Sequence, residues 1–472
     1  MARDLRICVT GLSRAGKTAF ITALVHALCT APRVPQSFPG WSAARQGRLV
    51  HAKPVPPRGA VQAIEAFPYE ANLAAFRAEA PHWPAPTNSV RAITLELTLD
   101  SPPGLALRSL DRLLGRASAP QRETRRVTIL DYPGEWALDL PLLDQDFAGW
   151  SAATLAAMGQ PPRAALAGPA LSAINALDPA APYSDEAARA AHAAFLEFLE
   201  TARGQGRLSL LQPGLFLRPE KVGGRAAILA QEDFRFFPLP PAVARRPPAG
   251  SFAAVLGRRF DAYRRDHVRG FFDSLRGPGT TRQVVLFDLL GALSAGPEGY
   301  ADAGAALAQV AQAMRPRIGF LARLFGGTVR VLYAATKADY LPPPGRQRLR
   351  AHLEMLLGGL GGSEAGREEA RSMALAAIAS TQDGTDAQGR PLVAGCARDP
   401  ATGTLERGVT FRFPAPPAGP PTGRDWAAWA AAGLVGFDWP EFLPDPEALR
   451  ARHDLPHIGL DEALDFLLDG HA

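Results

Sequence analysis

The chain has 472 residues, of which 47% are hydrophobic and 21% charged, so there is ample apolar material for a packed core. The net charge is +5, which permits contact with anionic lipid or nucleic acid without favouring either, and we expect no nucleic-acid partner. Three cysteines far apart in sequence exclude a disulfide framework and a cysteine zinc site. Met1–Arg6 leads directly into an apolar segment and no apolar run reaches about 18 residues. We therefore expect no signal peptide, no membrane-spanning helix and a cytoplasmic location.

Hydrophobic periodicity predicts strands that alternate with helices. The first strand is predicted at Leu5–Thr10, and Pro32 to Pro57 is expected to be irregular. Further strands are predicted at Arg91–Leu99, Val127–Leu130, Val284–Phe287, Val329–Ala335 and Ser372–Ile378, and helices at Phe20–Leu28, Ser184–Gly204, Phe252–Leu275, Asp302–Met314 and Asp461–Leu468. Beyond Thr381 the chain is predicted to consist mainly of turns, with a Pro-rich run at Pro414–Pro421.

This pattern predicts an α/β fold with a doubly wound, mostly parallel sheet. The expected core is discontinuous and comprises residues 1–140 and 281–380. Residues 141–280 would form a mainly helical insertion, and residues 381–472 a C-terminal extension packed on the core.

A complete P-loop pattern follows the first predicted strand. Gly11-Leu12-Ser13-Arg14-Ala15-Gly16-Lys17-Thr18 opens the first predicted helix, and its glycines allow backbone N–H groups to converge on phosphate oxygens. Lys17 would bring a compact cation to the β and γ phosphates and act in catalysis, while the Thr18 hydroxyl would bind Mg²⁺. The expected phosphate-binding residues are Gly11, Ser13, Arg14, Ala15, Gly16, Lys17, Thr18 and Ala19.

Thr336-Lys337-Ala338-Asp339 follows the predicted strand Val329–Ala335 and indicates the base. In P-loop GTPases such a loop places the Asp carboxylate against the N1–H and N2–H₂ donors of guanine, which adenine does not offer in that arrangement. The lysine stem then packs over the base. Thr336, Lys337 and Asp339 are therefore the expected guanine-binding residues. Ser380, after the last predicted strand, is placed in the same set.

Two acidic residues are candidates for the Mg²⁺ side of the site. Asp131 begins the run Asp131-Tyr132-Pro133-Gly134, and Asp288 follows Val284–Phe287. A GTPase core needs another strand between the Mg²⁺ motif and the base loop, and only helix and turn are predicted between Gly291 and Gly327. This favours Asp131 as the metal-side acid, with the Gly134 N–H meeting the γ-phosphate, and leaves Asp288 as an ordinary strand-end residue.

These motifs resemble the bacterial YcjX-like family of P-loop GTPases. The resemblance rests on Gly11–Thr22, Asp131–Trp136, Thr336–Asp339 and Leu455–Ile458, and it extends over residues 6–468. It implies a Ras-like core with large insertions, GTP and GDP binding with Mg²⁺, and an association with stress responses. In some bacteria it also implies a membrane-protein neighbour, so the partner would be an inner-membrane protein and the location peripheral to that membrane.

Three further residues are candidates for catalysis, each with an alternative. Arg14 resembles the P-loop arginine of guanylate-binding proteins and atlastins, which can stabilise transition-state charge, or it is a surface arginine. Thr87 is either the switch threonine that closes on Mg²⁺ or a loop hydroxyl. Glu135 either orients the attacking water or is kept from it by repulsion from the phosphates.

The leading hypothesis is a slow regulatory GTPase whose loops near Thr87 and Gly134 are ordered by the γ-phosphate. A nucleotide-dependent dimer is compatible with it. The alternatives are a phosphate-transferring enzyme and a nucleotide-stabilised scaffold with negligible turnover. The arginine-rich helix Phe252–Leu275 would either contact an anionic membrane or pack on the insertion with its arginines in solvent.

Overall fold

The computed structural model describes residues 4–12, 14–84, 89–101, 121–217, 229, 231–241, 247–274, 280–325, 329–358, 368–399, 402–414, 416–417, 419–437 and 439–468. Within these residues the main sheet has eight strands. They are β1 Leu5–Gly11, β2 Leu49–Val55, β3 Glu65–Ala66, β4 Arg91–Ser101, β5 Gln121–Asp131, β6 Thr280–Phe287, β7 Val329–Ala335 and β8 Glu368–Ala374.

The order of the main sheet is β2-β4-β5-β1-β6-β7-β8, with the short β3 paired to β4. The five strands from β5 to β8 are parallel, whereas β4 runs antiparallel to both β5 and β2. The carboxyl ends of β5, β1, β6, β7 and β8 therefore meet at one edge. Ligands of open parallel sheets bind at this edge, so it is the place to look for a site.

The helices cover both faces of this sheet and form a separate helical region. They are α1 Lys17–Thr30, α2 Ser42–Arg45, α3 Tyr69–Arg77, α4 Gly134–Ala137, α5 Phe147–Met158, α6 Ala164–Asn175, α7 Asp185–Gly204, α8 Gly214–Leu217, α9 Phe252–Ala262, α10 Gly270–Ser274, α11 Leu289–Ser294, α12 Gly296–Phe325, α13 Pro343–Leu356, α14 Gly423–Ala431, α15 Pro446–Arg450 and α16 Leu460–Leu468. Short 3₁₀ turns occupy Pro35–Ser37, Gly59–Ala63, Leu140–Asp144, Glu232–Phe234 and Ala338–Tyr340. Among the described residues, none of the helices combines the length and hydrophobicity that a membrane-spanning segment requires.

Helix α7 shows why the helical region folds as the sequence predicts. The Ser184 hydroxyl accepts a hydrogen bond from the Ala187 N–H at 3.4 Å, and two acidic residues follow in the first turn. One face of α7 buries Phe195 and Phe198. These rings join an aromatic cluster whose largest buried members include Trp150, Phe216, Phe236, Phe260 and Tyr263. The helical region thus has a core of its own.

A second, four-stranded sheet follows the main one. Its strands are β9 Thr381–Thr385, β10 Pro391–Arg398, β11 Leu405–Phe411 and β12 Phe442–Leu443, all paired antiparallel to β10. The sequence did not predict this sheet, because β9 and β11 bury few side chains and lack a clear apolar alternation.

The C-terminal helix α16 returns to the main sheet. The Phe466 carbonyl accepts a hydrogen bond from Arg330 at 2.8 Å, and Asp461 Oδ2 accepts one from the Gly40 N–H at 2.7 Å. The preceding motif also supports the loop after β8, since the backbones of Ile458 and Ala376 exchange two hydrogen bonds at 2.9 and 3.0 Å. The C-terminal residues are therefore structural partners of the core.

Several predicted elements need correction. The segment Pro32 to Pro57, expected to be irregular, contains α2 and the edge strand β2. The predicted helix Phe252–Leu275 is interrupted by a π-helical turn at Tyr263–Arg269, and Leu275 lies outside the described residues. The strand predicted at Val127–Leu130 begins at Gln121, since its polar first half pairs with β4 beyond the buried core. The strand predicted at Ser372–Ile378 is β8, and it ends at Ala374.

Candidate functional site

The P-loop connects the end of β1 to the start of α1 at the carboxyl edge of the sheet. Arg14 and Gly16 have left-handed backbones, with φ of 64° and 75°. The Lys17 ammonium donates to the Gly11 carbonyl at 3.3 Å, which holds the lysine over the loop. Successive N–H groups in such a turn form an anion-binding concavity at a helix N-terminus. Ser13 lies outside the described residues.

Asp131 lies beside this loop because β5 is the neighbour of β1. It stands opposite Val9 in the parallel register, and its side chain is almost fully buried. The Tyr132 N–H donates to the Val9 carbonyl at 3.3 Å, so the chain leaves β5 close to the start of the P-loop. A carboxylate oxygen and the hydroxyl of Thr18 are the ligand types that Mg²⁺ takes alongside phosphate oxygens.

Gly134 lies directly against the backbone of the P-loop. A Cβ on this residue would lie 1.8 Å from the carbonyl oxygen of Gly11. A side chain of any kind is therefore excluded unless the loops move apart. This approach places the Gly134 N–H, the first of helix α4, next to the P-loop backbone.

The base loop and Ser380 meet at the ends of β7 and β8. The Ala338 N–H donates to the Leu375 carbonyl at 3.2 Å, which joins the two loops. Asp339 is buried, and its Oδ2 accepts hydrogen bonds from the Ser380 N–H at 2.9 Å and the Ser380 hydroxyl at 2.8 Å. Burial raises the pKa of the Asp339 carboxyl, and the two bonds from Ser380 oppose that rise. Ser380 thus holds the Asp339 carboxylate in place through its Oδ2 atom.

Comparison with known proteins shows which family the chain belongs to. The family model described as the YcjX-like family, DUF463, matches residues 5–471. The chain belongs to the YcjX-like family. It is 32% identical to the protein named Ras-like GTPase YcjX of Escherichia coli (strain K12), over 99% of this chain and 95% of that one. It is 30% identical to the protein of the same name from Shewanella oneidensis, over 99% of this chain and 94% of that one.

Family membership and the sheet together confirm the predicted fold class. The central sheet is mostly parallel, it is covered by helices, and a P-loop leaves its middle strand β1, as in a Ras-like P-loop core. The prediction of only helix and turn after Asp288 can be compared with the structure, whereas the metal role of Asp131 stays a prediction. Between Asp288 and β7 the described residues form only the helices α11 and α12.

In this member of the family Asp288 has a partner that the sequence did not predict. Its Oδ2 lies 2.5 Å from the Lys337 ammonium, and its Oδ1 accepts the Gly291 N–H at 2.9 Å, capping α11. Lys337 itself has a left-handed backbone, with φ of 60°. The interpretation of Asp288 as an ordinary strand-end residue was incomplete, because it holds the lysine of the base loop. Adjacent parallel strands β6 and β7 bring the two together.

The weaker catalytic candidates differ in their surroundings. Arg14 is exposed within the P-loop. Glu135 is buried in the first turn of α4, where its backbone oxygen lies against another part of the chain. Thr87 lies outside the described residues. The described residues contain no group of three or more His, Cys, Asp or Glu side chains that could hold a metal.

Asp139 makes a buried contact between the P-loop side of the core and the helical region. The sequence did not predict this contact. Asp139, just after α4, accepts the Gly214 and Leu215 N–H groups at 2.7 and 3.1 Å and the Tyr263 hydroxyl at 2.5 Å. A Cβ on Gly214 would lie 1.8 Å from the Glu135 carbonyl oxygen. The signal in the sequence is weak, because an isolated Asp in a helical stretch is ordinarily exposed.

Proposed function

We propose that the chain binds GTP with Mg²⁺ at the P-loop and hydrolyses it slowly to GDP and phosphate. The observation that carries this proposal is the buried Asp339 carboxylate, held by Ser380 at the edge of the sheet where a complete P-loop also lies. Both bonds from Ser380 end on Oδ2, and we propose that Oδ1 accepts from the two donors that guanine offers. The relatives named Ras-like GTPases support the same assignment.

Residues near the phosphates would bind them in different ways, through backbone N–H groups, a lysine and a helix N-terminus. The N–H groups from Gly11 to Ala19 would cradle the phosphates, and Lys17 would leave its 3.3 Å bond to Gly11 for the β and γ phosphates. The positive end of α1 adds to this attraction because α1 begins at Lys17. All of these contacts favour an anion of several charges.

The residues near the phosphates also fit a divalent cation. Thr18 supplies a hydroxyl and Asp131 a buried carboxylate at the end of a strand beside the P-loop. Mg²⁺ held there would neutralise charge on the phosphates during transfer. We propose that Thr18 binds the ion directly and Asp131 through water, with Thr87 as a further ligand.

For hydrolysis we propose three roles that await tests. Arg14 would fold back over the γ-phosphate, where a cation lowers the barrier to phosphoryl transfer. The Gly134 N–H would contact the γ-phosphate, and Glu135 would orient the attacking water. A buried carboxylate beside phosphates is disfavoured by like charge, which agrees with slow turnover.

The contact between Gly214 and Glu135 supports a regulatory rather than a metabolic role. Any shift of Gly134 on loss of the γ-phosphate would move Glu135, and Gly214 is packed on the Glu135 carbonyl. We propose that residues 141–280 transmit the nucleotide state to an unidentified protein partner, which could be a protein of the inner membrane or a second copy of this chain. Stress-related regulation from the cytoplasmic side would fit such a switch.

Competition between bases tests the proposal. Labelled GTP bound in the presence of Mg²⁺ should be displaced by GTP and GDP far better than by ATP, by roughly 100-fold or more, because an unpaired buried carboxylate is costly. In Asp339→Asn the preference should move toward xanthine nucleotides, which offer an acceptor where guanine has the N2 amine. Equal displacement of labelled GTP by GTP and ATP would refute the guanine assignment.

A further inference from the structure

A basic cavity of about 380 Å³ opens at the far end of α1 from the P-loop. Its wall includes the basic side chains of His26, Arg33, Arg77, Arg450, Arg452 and His453. Leu449, which is fully buried, contributes the apolar part of the lining. A cavity of this volume is in the range of small-molecule sites and exceeds what a water molecule or a single small ion requires.

The negative C-terminal ends of nearby helices explain the presence of only some of these arginines. The helices α1, α3 and α15 all end here, at Thr30, Arg77 and Arg450. Each such end carries at most about half a negative charge, and arginine side chains commonly neutralise it. Four guanidinium groups face three helix ends and two carboxylates, those of Asp454 and Glu79. An excess of about half a positive charge remains beside the cavity, and Glu79, which is exposed to water, offsets less than a full charge.

Arg77 has donors that its neighbours leave unused. Its Nε–H is buried and has no acceptor among the described residues. Its Nη2 lies 3.5 Å from the His453 carbonyl and 3.3 Å from the His26 Nε2. The His26 Nε2 is only 2.8 Å from the His453 carbonyl and donates its N–H to that oxygen. It therefore cannot also accept a hydrogen bond from Arg77. The Arg77 guanidinium therefore makes no short hydrogen bond with its described neighbours, and it lines the cavity.

The remaining arginines differ in how firmly they are paired. Arg452 is held by two hydrogen bonds to Asp454, at 2.7 and 3.2 Å. Among the residues that the structure describes, Arg450 has a single ion-pair contact, at 4.0 Å with Glu79, whose side chain is 95% exposed and therefore screened by water. Arg33 is exposed at the rim. Arg33, Arg77 and Arg450 are thus the cations available to a ligand.

We propose that this cavity binds a phosphate-bearing anion of at least two negative charges, about the size of a diphosphate. Arginine forks match phosphate oxygens in pairs, and three of them around one concavity favour a multiply charged group. The site is separate from the P-loop, because the 14 residues of α1 place its two ends about 20 Å apart. The ligand is either a free diphosphate group or a lipid headgroup that carries phosphates.

Calorimetric titration with inorganic pyrophosphate, in the presence of a chelator, tests the proposal on the full chain. The Lys17→Ala variant removes binding at the P-loop and should retain pyrophosphate binding at the cavity. Adding Arg77→Gln or Arg33→Gln to Lys17→Ala should weaken that binding about 10-fold or more for each arginine. Arg33 is exposed, so its variant keeps the test valid if Arg77→Gln fails to fold. Arg424→Gln, an exposed arginine of α14, should change nothing.

Vesicles distinguish the two sources of the anion. Cosedimentation with cardiolipin-containing vesicles, but not with phosphatidylcholine alone, that is lost in Arg33→Gln and competed by pyrophosphate would identify a headgroup. Pyrophosphate binding without vesicle binding would identify a soluble diphosphate. Pyrophosphate binding that disappears with Lys17→Ala alone, or that no arginine substitution weakens, would overturn the site while leaving the guanine assignment intact.

Discussion

Gly214 and Glu135 touch through their backbones, since a Cβ on Gly214 would lie 1.8 Å from the Glu135 carbonyl oxygen. Gly134, one residue earlier, makes an equally close contact with Gly11 of the P-loop. Two backbone contacts in series therefore connect the P-loop to the helical region. Asp139 locks the second contact by accepting the Gly214 N–H at 2.7 Å. The helical region thus packs against the loop that would contact a γ-phosphate.

Gly214→Ala should break this contact. We expect the free energy of unfolding to fall by about 1 to 3 kcal/mol, because the new methyl group forces the two backbones apart. Single-turnover GTP hydrolysis should also slow, since Glu135 moves with its carbonyl. Urea unfolding and rapid-quench assays measure the two effects. Gly168→Ala is the matched control, because that glycine lies in α6 with nothing within 4 Å of its added Cβ. Equal behaviour of the two variants would contradict the coupling.

Asp139 should give stability a distinctive dependence on pH. Burial raises the pKa of its carboxyl from 3.8 to about 6, against hydrogen bonds that lower it. The folded state then binds a proton more tightly than the unfolded chain, so stability is lost as the pH rises through about 6. The unfolding free energy of the wild type minus that of Asp139→Asn should fall by on the order of 2 kcal/mol from pH 4 to pH 7. A difference that stays level or rises would show that this carboxyl is not the cause.

The sequence predicted those parts of the fold that carry strong apolar periodicity. Strand β7 lies at Val329–Ala335 as predicted, because a strand buried on both faces is a continuous apolar run. The sequence pattern did not predict the edge strand β2, because this strand buries only Leu49 and Ala52 and contains Pro54. The polar first half of β5 was not predicted, for a similar reason. Its pairing with β4 is stabilised by cross-strand charges such as Arg122 and Asp100.

Residues of the candidate site could be proposed from the sequence where they are close in sequence and follow strands. The P-loop, Asp131 and the Asp339 loop all belong to short motifs whose spacing, in P-loop GTPases, suits contacts to phosphate or base. The pairs Lys337–Asp288 and Gly214–Asp139 are 49 and 75 residues apart and belong to no local pattern. Only the packing of neighbouring strands, or of the helical region on the core, brings such residues together.

Asp288 and Asp131 should affect nucleotide binding in different ways. Asp288→Asn keeps an oxygen to cap α11 but removes the charge that holds Lys337, so guanine affinity should fall severalfold, about 1 kcal/mol. Asp131→Ala should weaken binding only when Mg²⁺ is present. Titration of a fluorescent GDP analogue with Mg²⁺ and with chelator separates the two effects. If Asp288→Asn abolished the Mg²⁺ dependence and Asp131→Ala did not, the assignment of the metal-side acid would be wrong.

Arg14→Ala tests whether the P-loop supplies its own transition-state cation. Hydrolysis should slow by roughly 10-fold to 1000-fold while GDP affinity changes little, because the contact forms mainly in the transition state. Arg14→Lys should recover part of the rate, since lysine lacks the planar fork. GDP with aluminium fluoride should bind to the wild type and not to Arg14→Ala. An unchanged rate would leave Arg14 as a surface arginine, with the cation to be sought on a partner.

The most direct test is single-turnover hydrolysis of GTP and of ATP by the purified chain, with Mg²⁺ and with chelator. We predict that GTP is converted to GDP and phosphate only with Mg²⁺, that ATP is left intact, and that Lys17→Ala loses the activity. An added small-molecule phosphate acceptor should not change the products. GTP that stays bound and intact would contradict the account and favour a nucleotide-stabilised scaffold, and phosphate found on the acceptor would favour a transferase.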